Sequence, residues 1–210
     1  EFDRAVSVFK IGGGNFAGVI TDKRLKNFEL YYKLYQQSLK EFNLIDYDDM
    51  LTGSVRLLKE NPDILEYYQN ICEYIIEDEA QDSSKVQQEL ITLLSGKYNN
   101  VIRCGDVNQS ITATFSNADV EGFRKFITEN YNVSMNCSQR CTKDVWTFAN
   151  KLVKNTLANP ESKNAFFEMY MQPVQGKNPE PPDKSPAVCA EIFKNSIDER
   201  NFILNSIKTT

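Results

Sequence analysis

Histidine is absent from all 210 residues. That single absence excludes Ser/His and Cys/His nucleophilic catalysis and any metal site built on imidazole. No apolar run approaches the ~20 residues a helix needs to cross a bilayer, and no charged-then-apolar leader opens the chain. The phosphate-cradling pattern G-x-x-x-x-G-K-[ST] does not occur; Gly12-Gly13-Gly14 has no lysine after it and reads as a plain turn. Cysteine is sparse and odd in number, with five residues and no C-x-x-C pair. Cys137 and Cys141 have the spacing to meet on one helix face, but two thiols make a poor zinc site. Reduced thiols of a cytosolic, cytoplasmic protein are therefore expected. Of seven prolines, six fall between 159 and 186, which marks that stretch as a long irregular connection.

Hydrophobic residues make up 41% and charged residues 25%, the balance of a chain with a packed core rather than a disordered one. A net charge of −5 does not advertise a phosphate-binding surface, although a local groove on an acidic body can still be basic. The chain starts at Glu1 rather than Met, so a piece of a longer protein is expected.

Chemistry concentrates at Tyr74-Ile75-Ile76-Glu77-Asp78-Glu79-Ala80-Gln81-Asp82, a short apolar run that stops in carboxylates and an amide. In parallel α/β sheets, ligands sit beyond the carboxyl ends of strands. There Asp78 can hold a divalent cation through oxygen and Glu79 can take a proton from water. A solvated turn with a helix cap at Asp82 or Ser83 is the plainer alternative. The pattern repeats at Val101-Ile102-Arg103-Cys104, followed by Gly105-Asp106-Val107-Asn108-Gln109-Ser110, and again at Asn132-Val133-Ser134-Met135, followed by Gln139-Arg140. Three strands joined by helices, each ending in polar residues, predict an α/β fold with a parallel sheet and one site along its edge.

Around these strands the periodicity predicts helices over 27–43, with Phe28, Tyr31, Tyr35, Leu39 and Phe42 inward, and from an Asp46 cap to about Lys59. Further helices are expected over 63–73, from Ser83-Ser84 to Gly96, over 119–129, and after Thr142 with Val145, Phe148, Ala149, Leu152 and Val153 inward. Residues 5–11 read as a strand, as do the alternating Val188, Ala190 and Ile192. A capping box of Ser196 and Glu199 starts the last helix.

Taken in order, these blocks resemble the UvrD/Rep-type family of superfamily-one DNA helicases. Asp46-Tyr47-Asp48-Asp49-Met50-Leu51 is similar to the family's D-F-D-D-L-L segment, and Ile76–Asp82 to its V-D-E-F-Q-D block. Gly105-Asp106-Val107-Asn108-Gln109-Ser110-Ile111 resembles G-D-D-D-Q-S-I, with a short tail to Ala118. Asn136–Cys141 stands where the family has N-Y-R-S, and Ala149-Asn150 matches the A-N beyond it. The likeness covers roughly residues 27–155. It departs from the family at Thr112, where a tyrosine is usual, in a 114–118 tail without arginine, and in Cys137-Ser138-Gln139 before Arg140.

The resemblance implies a partial RecA-like P-loop NTPase motor core, a parallel sheet with flanking helices and an α-helical inserted segment. Residues 1–60 would belong to the helical insertion, 61–158 to the first motor domain, 159–186 to a linker and 187–210 to the start of the second motor domain. It implies Mg²⁺ and ATP, single-stranded or duplex DNA as partner, and no membrane. Asp78 would bind the magnesium, and Glu79 would activate water. Gln109 would sense the γ-phosphate and Arg140 would serve as an arginine finger. Gln81, Asp82 and Asp106 would complete the nucleotide side, and Thr112, Phe115 and Asn117 would lie against DNA. Two other readings compete. One is a metal-dependent phosphoesterase or nuclease gathering Asp78, Glu79, Asp82 and Asp106 around two ions. The other is an inactive interaction module.

Overall fold

The computed structural model describes residues 2–12, 27–110, 117–174, 188 and 190–208. Thr112 and Phe115 of the expected DNA-facing segment lie outside them. The chain divides into two compact units, residues 1–133 and 134–210.

In the first unit, α1 (Phe2–Ile11) and α2 (Phe28–Glu41) precede α3 (Tyr47–Glu60) and α4 (Pro62–Ile71). Then β1 (Ile75–Glu77), α5 (Lys85–Ser95), β2 (Val101–Arg103) and α6 (Val120–Glu129) follow. The second unit holds β3 (Cys137–Ser138), α7 (Lys143–Ala158), β4 (Gln172–Pro173) and α8 (Ser196–Lys208). Helices dominate, and the described strands form two small sheets, β1–β2 and β3–β4, both parallel.

Residues 5–11, expected as a strand, are helical. Ala5, Val6 and Phe9 fall on one face at helical spacing and are buried with Phe28, while Phe2, Tyr32 and Tyr35 pack around them. The Phe9 and Tyr32 rings meet edge to face at 4.6 Å. In α2 the inward stripe is Phe28, Tyr32, Tyr35 and Leu39; Tyr31 and Phe42, expected inward, are exposed. The inward positions 28, 32, 35 and 39 follow the i, i+4, i+7, i+11 spacing of one face of a helix with 3.6 residues per turn, which takes Tyr32 rather than Tyr31 inward.

The caps are where local sequence speaks most plainly. Asp46 accepts from Asp49 N–H at 2.8 Å while Asp49 reaches back to Asp46 N–H, a reciprocal box that starts α3. Pro62 opens α4, where its missing N–H costs nothing. Ser84 and Gln87 form the same box for α5, one residue past the expected Ser83. Gly96 ends that helix in right-handed geometry, and the left-handed residue is Asn99, at φ 55°.

Five expectations for the second half are corrected. Residues 132–135 are not a strand; the pairing falls at Cys137–Ser138, so β1–β2 has two strands and not three. Cys137 lies in β3 and Cys141 just past it, so the two do not share a helix face, and both are free thiols. No strand forms at Val188 or over 190–195, where Ile192 is 98% exposed. On α7, Val145, Phe148 and Leu152, expected inward, are at least partly exposed. Asn195, not Ser196, caps α8, accepting from the N–H groups of Ile197 and Asp198 at 2.9 and 3.0 Å. Within this unit Asn150 brackets the main chain of Met171, donating to its carbonyl at 2.7 Å and accepting from its N–H at 2.8 Å.

Lys10 joins α1 to α3. Its side chain is 4% exposed, and its ammonium meets Asp46 at 2.5 Å and Asp49 at 2.7 Å. Tyr35 donates to the same Asp46 oxygen at 2.9 Å. Burial pulls the Lys10 pKa down, but the hydrogen bonds and charges of the two aspartates outweigh it and leave the value raised above 10.5. Burial likewise pushes Asp46 up, and bonds from Lys10, the Asp49 N–H and Tyr35 outweigh that to leave it lowered. Tyr35, desolvated and bonded to a carboxylate, is pushed up to about 12.

Lys10→Met should therefore lower the unfolding free energy by about 2–4 kcal/mol in urea titrations, because it strands two half-buried carboxylates. The sign with pH follows from the same shifts. The Asp46 contribution is complete above the ordinary carboxylate range and lost as pH falls through its depressed value; the Lys10 contribution is lost only as pH rises through its raised value. Stability across pH 6–9 should be flat, and the acid loss smaller in Lys10→Met than in wild type. Equal acid limbs would contradict the clamp.

Candidate functional site

The β1 and β2 strands run parallel in the register Ile75↔Val101, Ile76↔Ile102 and Glu77↔Arg103. Their carboxyl ends therefore finish side by side, and the two polar turns leave the sheet together. Pairing continues one step past the strands: Cys104 N–H donates to Glu77 O at 2.8 Å, and Ala80 N–H to Cys104 O at 2.9 Å.

Beneath the turns lies a buried charge pair. Arg103 Nε donates to Glu77, with the side chains only 6% and 11% exposed. Ser83 Oγ donates to the other Glu77 oxygen at 2.5 Å. The guanidinium of Arg103 stacks over Phe123 and Phe126, at 5.4 and 5.1 Å from the ring centroids. A charge so deep is tolerable only when paired; Nη1 also reaches Gln88 Oε1 at 3.5 Å, while Nη2 has no hydrogen-bond partner among the described residues.

Above that foundation, Glu79 is held at φ 52°, ψ 41°, a left-handed conformation that costs roughly 1–2 kcal/mol for a residue with a Cβ. Its carboxylate accepts from Gln81 Nε2 at 2.7 Å. Gln81 is 1% exposed, and its other amide atom, Oε1, accepts the Asp106 N–H at 3.0 Å. The carboxamide thus spans from the first turn to the second. Gly105 leaves it room: a Cβ there would stand 2.5 Å from Gln81 Oε1 and 3.0 Å from the Phe123 ring.

Asp106 extends the line. One carboxylate oxygen accepts Asn108 N–H at 2.9 Å, and the other accepts Gln109 Nε2 at 2.8 Å. Ser110 Oγ returns to Gln81 O at 3.3 Å. Glu79, Gln81, Asp106 and Gln109 therefore form one continuous hydrogen-bonded series. Asp78 stands exposed beside it; one oxygen accepts the Glu79 N–H at 3.0 Å, leaving the second open. Asp82 closes the turn, its N–H on Glu79 O at 2.9 Å. Chemically, this is a pair of outward carboxylates and a carboxamide on a rigid base, suited to a hard cation and a polarised water.

The structure thus brings Asp78, Glu79, Gln81, Asp82, Asp106 and Gln109 to one sheet end. Arg140 belongs to the second unit, exposed just past β3 and without an ion pair among the described residues. Asn117 is left-handed at φ 55°, and its amide donates to Ser7 Oγ at 3.4 Å. Glu77, Arg103, Lys10 and Ser7 make buried or bridging contacts that no sequence expectation names. The opposite charges at the third position of both strands were the available signal for the first two.

Residues 13–131, more than half of the chain, match the UvrD/REP helicase N-terminal domain. The chain belongs to that family of helicases, and the match implies a RecA-like core region. It is 34% identical over 138 residues to the ATP-dependent DNA helicase PcrA of Staphylococcus aureus strain Mu50, covering 64% of this chain and 19% of that protein. Against PcrA of Staphylococcus epidermidis strain RP62A it is 35% identical over 128 residues, covering 59% of this chain and 17% of the relative. The chain spans less than a fifth of the length of these curated relatives. Arg140 falls beyond the matched domain.

Gln81→Glu tests the bridge. The new carboxylate would face Glu79 at hydrogen-bond distance, and two carboxylates that close cannot both ionise cheaply. The variant should be less stable than wild type by about 1–3 kcal/mol at pH 8, with the deficit closing as pH falls toward 5 and the pair shares a proton. A deficit independent of pH, read from thermal melts, would contradict the contact.

Proposed function

We propose that this chain carries the hydrolytic edge of an ATP-driven DNA motor that couples Mg·ATP hydrolysis to movement on single-stranded DNA. The observation that carries this reading is the hydrogen-bonded series Glu79–Gln81–Asp106–Gln109 at the ends of two parallel strands. It lies in a chain of the UvrD/REP helicase family, and the relatives it matches are named ATP-dependent DNA helicases.

Asp78 would hold magnesium through its open oxygen. Magnesium suits an exposed carboxylate of this kind, since it takes one or two protein carboxylates and completes its shell with phosphate and water. When bound, the ion neutralises charge on the β- and γ-phosphates. Glu79 orients and deprotonates the attacking water, its carboxylate fixed by Gln81. Gln109 meets the γ-phosphate, and Asp106 fixes the rotamer in which it waits. Arg140 supplies positive charge to the phosphoryl group being transferred. Gln81 and Asp82 tie the nucleotide side to its surroundings, while Thr112, Phe115 and Asn117 face single-stranded DNA. In this reading residues 1–60 are the helical insertion, 61–158 belong to the first motor domain and 187–210 begin the second.

A two-metal phosphoesterase gains no support from the geometry. Among the described residues no three carboxylates or thiols converge tightly enough to cage a metal.

The chain contains no lysine loop for the β- and γ-phosphates, so it should bind nucleotide weakly and hydrolyse it negligibly alone. At about 10 mM Mg·ATP, binding with a millimolar Kd should stabilise the fold by roughly 1.4 kcal/mol, a rise of a few degrees in Tm. Asp78→Asn should abolish that rise. No shift in wild type, the same shift in Asp78→Asn, or brisk ATP turnover by this chain would each contradict the proposal.

A further inference from the structure

Ser7 sits on α1, far in sequence from either polar turn, yet its hydroxyl is used twice. It donates to Asp48 Oδ1 at 3.2 Å and accepts from Asn117 Nδ2 at 3.4 Å. A hydroxyl has one donor and two acceptor positions, so both bonds coexist. The result is a relay of amide, hydroxyl and carboxylate, each bond polarised by the charge at its end. One helical turn along α1, Lys10 grips Asp46 and Asp49 in the same turn of α3. The α1 helix therefore holds α3 at two points while Ser7 reaches out to Asn117.

The chain around Asn117 has a second attachment. Ala118 bridges Ser84 in antiparallel fashion, and Asp119 N–H donates to Ser83 O at 2.8 Å. Asn117 thus stands between the turn that follows Glu79 and the helical body. Its left-handed backbone suits asparagine, which tolerates that conformation better than most residues with a Cβ.

We propose that Ser7 is a positioning residue: its hydroxyl ties Asn117, at the end of the segment assigned to single-stranded DNA, to the first turn of α3. The strand-contact part of this statement rests on the function proposed above; the tie itself does not. In this arrangement Asn117 spends its amide on Ser7, and a displacement of residues 83–84 is passed through 117–119 to α1 and α3. The D-Y-D-D block acquires a role the resemblance does not give it, as the anchor of that tie.

Amide exchange on the 210-residue chain tests the proposal. Ser7→Ala and Asn117→Gly should each speed exchange of the Asp119 amide about threefold to tenfold, the effect of losing one modest hydrogen bond. Glycine keeps the left-handed backbone, so strain does not confound that variant. Ser7→Thr, which retains the hydroxyl, should exchange like wild type. The double variant should exchange no faster than either single, since both break one link. An unchanged rate in Ser7→Ala, a Ser7→Thr that behaves like alanine, or additive effects in the double variant would overturn the tie. Fluorescence anisotropy with labelled oligothymidylate separates the two claims. Weaker binding in Ser7→Ala, recovered in Ser7→Thr, supports the strand-contact clause. Altered exchange with no oligonucleotide affinity in any form, wild type included, supports the tie and overturns that clause.

Discussion

A buried carboxamide joins the two turns from which the chemistry is drawn. Gln81 gives its NH₂ to the Glu79 carboxylate and its oxygen to the Asp106 N–H, and its own main-chain carbonyl receives Ser110. No charged side chain could replace it without loss, because one end must donate and the other accept. The neighbouring positions accommodate that requirement. Gly105 omits the Cβ that would collide with the amide, Ala80 beside it is fully buried, and Phe123 packs against the same spot. The left-handed Glu79 is strained for a residue with a side chain, and such strain persists only where surrounding contacts fix it. Here they are the Gln81 amide and the Asp82 N–H.

The site is layered by polarity. At the bottom, Glu77 and Arg103 form a desolvated ion pair, joined by the Ser83 hydroxyl, under the aromatic rings of α6. In the middle, Gln81 is neutral and buried. At the top, Asp78, Glu79 and Gln109 are exposed to whatever ligand arrives. Charge near the surface stays available for a cation and a phosphate, while charge beneath is already spent on the fold. Preorganisation of this sort lets exposed groups act without reorganising when charge develops. The Lys10 clamp repeats the principle at the junction of α1 and α3, with three elements sharing one set of carboxylates.

Much of this was legible in the residues themselves. Asp46 and Ser84 announce helix starts because their capping chemistry is local, needing only a partner three residues on. The polar stops after Ile76 and Cys104 mark the site because a buried strand that ends in carboxylates is chemically unusual. What stayed hidden depends on register and packing. Glu77 and Arg103 pair only because β1 and β2 align at that position, and Lys10 meets Asp46 only because α1 packs on α3. The misreading of 5–11 has the same root: Val6 and Val8 favour a strand locally, and the aromatic cluster with Phe28 overrides them. Asn132–Met135 failed as a strand for the converse reason: a run of strand-like residues needs a neighbour in register, and the pairing with Gln172–Pro173 falls further on.

The central claim is that Gln81 physically links the two strand ends, and the Asp106 amide reports on it directly. Native-state hydrogen exchange should show that amide protected in wild type and released in Gln81→Met, while the Cys104 amide, bonded to Glu77, keeps its protection. An Asp106 amide that exchanges at the same rate in both proteins would contradict the account.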